Sequence, residues 1–141
     1  MERIEYGACA VNFELDDDGI VNGEVRGAML PNNAGALAAM LLRAGADHRS
    51  PGVLVSMQKS LVALPRIDAK HYSHVPYSLR SVPVAVVILP EQFGVYEDIA
   101  LAAAATGAMR RAFLSRQQAQ AWLREQVRAL QANQVWRPAH R

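Results

Sequence analysis

The chain has 141 residues, of which 51% are hydrophobic and 20% charged; this balance excludes a disordered chain and predicts one domain with an apolar core. No apolar run approaches the roughly 20 residues that a membrane-spanning helix needs, and residues 1–7 lack the features of a secretion signal. We therefore expect a cytoplasmic protein, and a domain over residues 1–141 in which residues 133–141 form a possible C-terminal tail.

The net charge is +2, but the charges are unevenly distributed. Seven acidic residues and one basic residue occur through Glu24, whereas seven arginines and one glutamate occur from Arg110 onward. The basic end carries no glycine-rich loop and no metal-finger spacing, so no nucleic-acid partner is predicted. We interpret it as a solvated helix face that attracts the acidic N-terminal end.

The first 30 residues predict an antiparallel hairpin. Residues 4–15 form its first strand, because apolar and polar residues alternate toward the end of this segment. Residues 16–19 form a turn, and residues 20–30 return as the second strand. The glycines at positions 23 and 27 indicate a bulge or close packing.

The next segment predicts a strand, helix and strand crossover. Residues 35–44 form a helix that ends at Gly45, and residues 53–57 form a short apolar strand. The predicted buried stripe of the helix consists of Leu37, Met40, Leu41 and Ala44. Residues 58–82 show little periodicity, and we expect one short helix there, over residues 67–73.

Residues 83–89 form an uninterrupted apolar run that is rich in β-branched residues, which is typical of a parallel strand buried on both faces. A helix is predicted over residues 96–106, with Glu97 and Asp98 at its N-terminus and Gly107 as its stop. Small alanines allow this helix to lie close to the sheet.

The end of the chain predicts a further strand and a long amphipathic helix. Residues 108–114 form the strand, and Ser115 with Gln118 fits a capping box, so the helix begins at Arg116. Its apolar face consists of Ala119, Trp122, Leu123, Val127 and Leu130. Trp136 is expected beyond the helix, folded back onto the domain.

Together these elements predict an α/β fold: a mixed sheet of about five strands, with an N-terminal β-hairpin and about four helices. The element order resembles that of the compact bacterial STAS-like proteins, which are related to anti-sigma-factor antagonists and often grouped with Sec14-like domains. The resemblance is carried by the apolar strand at residues 83–89, Gly107, the segment Ala112-Phe113-Leu114-Ser115, and Ala119-x-x-Trp122-Leu123.

The resemblance implies a regulatory binding role and draws attention to one serine-containing segment. Signalling members of this family carry a phosphorylatable serine in an Asp-Ser-Ser-Gly-like segment after the third strand. Ser56 and Ser60 fall near the corresponding place, but the acidic residue and the glycine are absent. Ordinary loop or cap serines are therefore expected there.

Few other side chains indicate chemistry. Cys9, the single cysteine, is interpreted as a small buried residue, and Asp47 beside His48 has no assignable nucleophile. Three possible metal ligands lack a fourth ligand and match no zinc motif: Asp68, His71 and His74. We predict neither a metal nor a cofactor.

In open α/β sheets, ligands bind beyond the carboxyl ends of the parallel strands. This rule selects a candidate ligand-binding set: Ser56, Gln58, Lys59, Ser60, Gln92, Phe93 and Tyr96. Lys59 could meet an anionic group, while Phe93 and Tyr96 line an apolar wall.

We therefore expect a non-enzymatic STAS-like binding or regulatory domain for a protein partner or a small apolar or anionic, lipid-like ligand. One alternative is a homo-oligomeric structural protein, such as a homodimer, that associates through the helix over residues 116–131. Another is an enzyme with an unrecognised site.

Overall fold

The structure is a computed structural model that describes residues 2–29, 34–62, 82–105 and 107–136. These residues form one six-stranded sheet, in which the strands lie side by side in chain order. The strands are β1 (Glu2–Tyr6), β2 (Cys9–Leu15), β3 (Val21–Met29), β4 (Val53–Val62), β5 (Val84–Val87) and β6 (Arg110–Phe113). The α-helices are α1 (Ala34–Asp47), α2 (Phe93–Ala104) and α3 (Arg116–Trp136).

The sheet is mixed, as predicted. Strands β1, β2 and β3 pair antiparallel, whereas β3, β4, β5 and β6 pair parallel. All four residues of β5 are buried. This confirms the prediction of a parallel strand that is enclosed on both faces.

Two apolar layers cover the two faces of the sheet. On the face packed by α1 and α2, which we call the two-helix face, Val84 and Val86 join a large cluster with Leu41 and Ile99. On the opposite face, which we call the α3 face, a smaller cluster packs against α3: Ile20, Leu54, Ala85, Val87, Phe113, Ala119 and Leu123. Helix α3 packs mainly against β4, β5 and β6. Most of the same face of β2 and β3 is therefore partly exposed to solvent, and it carries mostly polar residues.

The predicted first strand, residues 4–15, is two strands in the structure. Gly7 takes a φ of 61° between β1 and β2, and it is the first central residue of a two-residue turn. Such a turn is of type II′, which favours glycine at this position. The sheet therefore has six strands where about five were predicted.

Helix α1 is longer than predicted, and its buried face is rotated. It continues through Gly45, where a Cβ atom would lie 3.2 Å from the Val53 side chain, so this glycine lets the helix approach β4 instead of ending it. Leu41 and Leu42 are buried, whereas Met40 is 37% exposed, which corrects the predicted stripe.

Helix α2 begins at Phe93, three residues before the predicted start, and is preceded by a 3-10 turn over Pro90–Gln92. Glu97 and Asp98 therefore lie in its second turn and not at its N-terminus, which corrects the sequence interpretation. Of about four predicted helices, three are present as α-helices in the described parts of the chain. The short helix predicted over residues 67–73 lies outside them.

The start of α3 is as predicted, because the Ser115 hydroxyl accepts a hydrogen bond from the Gln118 amide at 3.3 Å. Ala119 and Leu123 are fully buried on its apolar face. The helix continues to Trp136, so this residue lies within it and not beyond it.

Gly27 and Gly107 provide a test of packing around the first hairpin. Both have a positive φ, but a Cβ on Gly27 would collide with the carbonyl oxygen of Ala8, whereas a Cβ on Gly107 would meet nothing within 4 Å. We expect Gly107→Ala to lower the free energy of unfolding by about 1 kcal/mol, the cost of a left-handed residue. Gly27→Ala should cost at least about 3 kcal/mol.

Urea unfolding of both variants measures these costs. Equal losses in the two variants would mean that the contact between the backbone of residue 27 and Ala8 is not a packing constraint.

Candidate functional site

The segment from Ser56 to Ser60 lies inside β4 and not in a loop after it, because β4 extends to Val62. The pairing of β3 with β4 shifts between Glu24, opposite Ser56, and Arg26, opposite Lys59. This shift inserts an extra residue into β4, which is a β-bulge. Gln58 and Lys59 become exposed after the bulge, whereas Ser60 remains buried.

Gln92 holds this bulge against the start of α2. The ladder between β4 and β5 ends at Ser56 and Val87, so later carbonyl groups of β4 lack a partner on β5. The Gln92 amide nitrogen donates hydrogen bonds to the Met57 and Ser60 carbonyl oxygens, both at 3.1 Å. Its amide oxygen accepts a hydrogen bond from the Leu89 amide at 2.9 Å.

Gln92 is buried, so these three hydrogen bonds satisfy an amide that would otherwise be costly to remove from water. The Gln92 side chain thus acts as a clamp between β4 and α2. Two members of the predicted ligand-binding set take part in this clamp, namely Gln92 and, through its backbone carbonyl, Ser60. Both polar atoms of the Gln92 side-chain amide are hydrogen-bonded within the clamp.

The two candidate serines are buried and engaged. The Ser60 hydroxyl donates to the Met57 carbonyl at 2.8 Å, and the Ser56 hydroxyl lies 3.5 Å from the Gln58 amide. Ser56 is 6% exposed and Ser60 is 9% exposed. Burial of both hydroxyls disfavours phosphorylation in this conformation.

Lys59 lies on the α3 face, in register with Arg26, and both cations contact Glu24. The Arg26 guanidinium lies 2.9 Å from the Glu24 carboxylate, and the Lys59 ammonium lies 3.5 Å from it. Burial acts to raise the pKa of Glu24, but the hydrogen bond from Arg26 and the two positive charges lower it overall. This mutual neutralisation reduces the charge that Lys59 offers to an anionic ligand.

Tyr96 lies on the opposite side of the sheet, in the cluster on the two-helix face, and Phe93 is 36% exposed at the start of α2. Burial raises the pKa of the Tyr96 phenol, although the charge of Arg110 opposes this change. The sheet therefore separates Lys59 from Tyr96. The seven predicted residues lie around the bulge of β4 and the start of α2, on both faces of the sheet.

Arg110 is a further residue that the sequence did not indicate, and it lies at the amino end of β6, away from the carboxyl ends of the parallel strands. Arg110 pairs in register with Val84 of β5, and register partners in neighbouring strands share a face of the sheet. Arg110 therefore lies on the two-helix face, near α2. Arg110 is half-buried, and burial lowers the pKa of its guanidinium while Tyr96 opposes this change. Within the described ranges, no carboxylate or carbonyl group binds it. The signal that the sequence offered for Arg110 was a charged residue within a predicted strand, residues 108–114.

Three surface pockets lined by described residues lie elsewhere. The largest, about 400 Å³, separates the β2–β3 turn from α3, and Asp17, Asn22 and Gln120 are among its lining residues. A second pocket of about 280 Å³ adjoins it on the α3 face of β2 and β3, and a third of about 340 Å³ lies beside Pro51 and Val127. None of these three includes the predicted ligand-binding set.

The oppositely charged ends of the chain meet at the largest pocket, as the sequence predicted. Arg124 of α3 lies 3.5 Å from the Asp18 carboxylate, and Arg116 donates a hydrogen bond to the Asn22 side chain at 2.9 Å. Asp18 and Arg124 are both more than half exposed, so their ion pair contributes little to stability.

Other candidate chemistry is not assembled in the described residues. Cys9 is buried, its thiol donates to the Ala28 carbonyl at 2.9 Å, and burial raises its pKa. Asp47 and His48 lie at the exposed end of α1. No group of three or more potential metal ligands occurs in the described ranges, and none of their helices could span a membrane. Three candidates, Asp68, His71 and His74, lie outside those ranges.

No protein-family model matches the chain, and no curated protein matches it significantly. Among solved structures, the chain is similar to an uncharacterized protein of the DUF3478 family from Shewanella loihica PV-4, which has a SpoIIAA-like fold. The sequences are 17% identical, the match covers 85% of this chain and 97% of that chain, and the TM-score is 0.48.

The Gln92 clamp can be tested with an isosteric change. In Gln92→Glu the carboxylate cannot donate to the Met57 and Ser60 carbonyls, so both would face a negative charge. We expect the free energy of unfolding to fall by about 2–4 kcal/mol. Gln58→Glu makes the same chemical change at an exposed position two residues before Ser60 and should alter stability by less than about 0.5 kcal/mol. Chemical unfolding of both variants measures the difference, and equal stabilities would contradict the clamp.

Proposed function

We propose that the chain is a non-enzymatic STAS-like binding module that recognises a protein partner at the carboxyl edge of its parallel strands. The observation that supports this most strongly is the exposure of apolar side chains around the clamp. Leu61 in β4 is 67% exposed, and Phe93 at the start of α2 is 36% exposed. Gln58 and Lys59 are exposed beside Leu61 and add polar contacts.

The clamp gives these exposed groups a fixed relative position. Gln92 hydrogen-bonds to the backbone on both sides of Lys59, and Phe93 follows Gln92 directly in the chain. A partner that binds Leu61 and Phe93 would therefore not have to order these elements on binding. Such preorganisation raises affinity because it lowers the entropic cost of association.

The two alternatives have less support. An enzyme needs titratable groups that converge in a cleft. Of the four described groups with shifted pKa values, Cys9, Tyr96 and Arg110 line none of the three described pockets, and Glu24 lines one of them but is paired with Arg26 and Lys59. A structural oligomer built through α3 would need a free apolar stripe on that helix. Ala119 and Leu123 of this stripe are already buried against the sheet.

Site-specific photo-crosslinking in native cells tests this edge. A benzophenone side chain at position 61 or 93 should crosslink to a discrete partner protein. The same group at Leu101 is a matched control, because Leu101 is 66% exposed and lies eight residues, about 12 Å, along α2 from Phe93. Leu61→Asp should reduce recovery of the partner by about tenfold, and Leu101→Asp should not. Crosslinks at position 101 but not at 61 or 93 would contradict the proposal.

A second candidate function, binding of a small anionic ligand, is supported by Arg110. This half-buried guanidinium offers five donors and has no acceptor among the described residues, and the Tyr96 phenol lies near enough to change its pKa. Phosphate and carboxylate groups match the planar fork of an arginine. This site would lie between α2 and β6.

Inorganic phosphate and pyrophosphate are suitable probes for this second candidate. We expect saturable amide chemical-shift changes in α2 and β6 on titration, and a loss of these changes in Arg110→Met. Arg111→Met is the matched control, because Arg111 is exposed on the other face, 5.2 Å from the centre of the Phe113 ring. Shifts that are linear in concentration, or that depend equally on both arginines, would exclude the site.

A further inference from the structure

Strand β1 lies at the edge of the sheet. It pairs with β2 along one side, and none of the described residues pairs with its other side. An edge strand presents a row of backbone N–H and C=O groups that another strand can pair with. The chemistry of these groups and of the neighbouring side chains therefore defines which strand would fit.

The turn at Gly7 determines which backbone groups face outward. Tyr6 and Cys9 flank a two-residue turn, so they form a hydrogen-bonded pair, and such pairs alternate with non-hydrogen-bonded pairs along the hairpin. Arg3 and Glu5 occupy the non-hydrogen-bonded positions. Their N–H and C=O groups consequently point away from β2, toward the open edge.

Arg3 and Glu5 also carry opposite charges in exposed positions. Their side chains are 54% and 68% exposed, and the guanidinium lies 2.8 Å from the carboxylate. They lie on the same face of the strand, one residue before and one residue after position 4. In an antiparallel copy of the same strand, the order of the positive and the negative side chain about position 4 is reversed.

We propose that β1 pairs with β1 of a second copy of this chain, antiparallel about a two-fold axis at residue 4. In this register Arg3 lies opposite Glu5 of the second copy, and the reverse pair forms on the other side of the axis. Both pairs are also the ones whose backbone groups face outward, so each exchanges two backbone hydrogen bonds. The complementary charges and the alternation of outward-facing backbone groups along β1 thus select the same register.

The two sheets then form one continuous sheet through an isologous interface. A five-residue strand buries less area than the roughly 1,200–2,000 Å² of a stable complex, so we expect a weak dimer that depends on protein concentration. The interface lies at the β1 edge, away from the Gln92 clamp between β4 and α2, so the dimer and the proposed partner site can be tested independently.

Charge reversal with analytical ultracentrifugation tests the register. Wild-type protein at about 10 µM to 1 mM should show a monomer–dimer equilibrium. Arg3→Glu places like charges opposite each other in both pairs, and so does Glu5→Arg, so each should raise the dimer Kd about tenfold or more. A mixture of these two variants should form a heterodimer with nearly wild-type affinity, because every opposed pair is again complementary.

Two further variants show which edge strand, β1 or β6, forms the dimer, and a circular dichroism spectrum shows that the β1 variant is folded. Glu5→Pro removes an outward N–H that β2 does not use, so it should abolish dimerisation without changing the circular dichroism spectrum. Arg111→Glu alters the opposite edge strand, β6, and should leave the dimer unchanged. A wild-type monomer at 1 mM, a mixture that remains monomeric, or loss of the dimer in Arg111→Glu alone would each overturn the proposal.

Discussion

The burial of β5 on both faces is the constraint on which the rest of the structure depends. Its side chains alternate between two apolar layers, with Val84 and Val86 in one and Ala85 and Val87 in the other. Neither face can be left in water, so helices must lie on both sides of the sheet. Polar and functional groups are then confined to the strand ends, the uncovered part of the sheet and the helix surfaces.

The Gln92 clamp follows from the shortness of β5. Because β5 ends at Val87 while β4 continues to Val62, several backbone groups of β4 extend past their neighbour. A side-chain amide that donates twice and accepts once can replace the missing strand there. The same extension carries Lys59 and Leu61 to the surface, so the proposed partner site and the clamp have one structural origin.

Those parts of the fold that depend on long periodic patterns could be predicted from the sequence. The buried strand and the apolar face of α3 were recovered because many residues contribute to each signal. The split of the first strand at Gly7 was missed, since one positive φ value reverses the chain without disturbing the alternation of Val11 and Phe13. The length of β4 was missed because its bulge breaks the alternation after Met57.

The candidate site was harder to predict than the fold. Strand topology selects residues at the carboxyl ends of the parallel strands, but topology alone does not say which face of the sheet a side chain occupies. The bulge determines that Lys59 lies on the α3 face, and the position of α2 determines that Tyr96 lies on the other. Arg110 was missed because its environment depends on the packing of α2 over β6, which no local pattern encodes.

The covering of one face by α3 has a consequence for how the chain matures. Ile20, Leu54 and Val87 belong to strands and turns that the ribosome produces early, yet the helix that shields them begins only at Arg116. During elongation, the partly formed sheet would therefore expose these apolar residues to solvent until α3 has left the exit tunnel. Such a nascent intermediate is prone to aggregation.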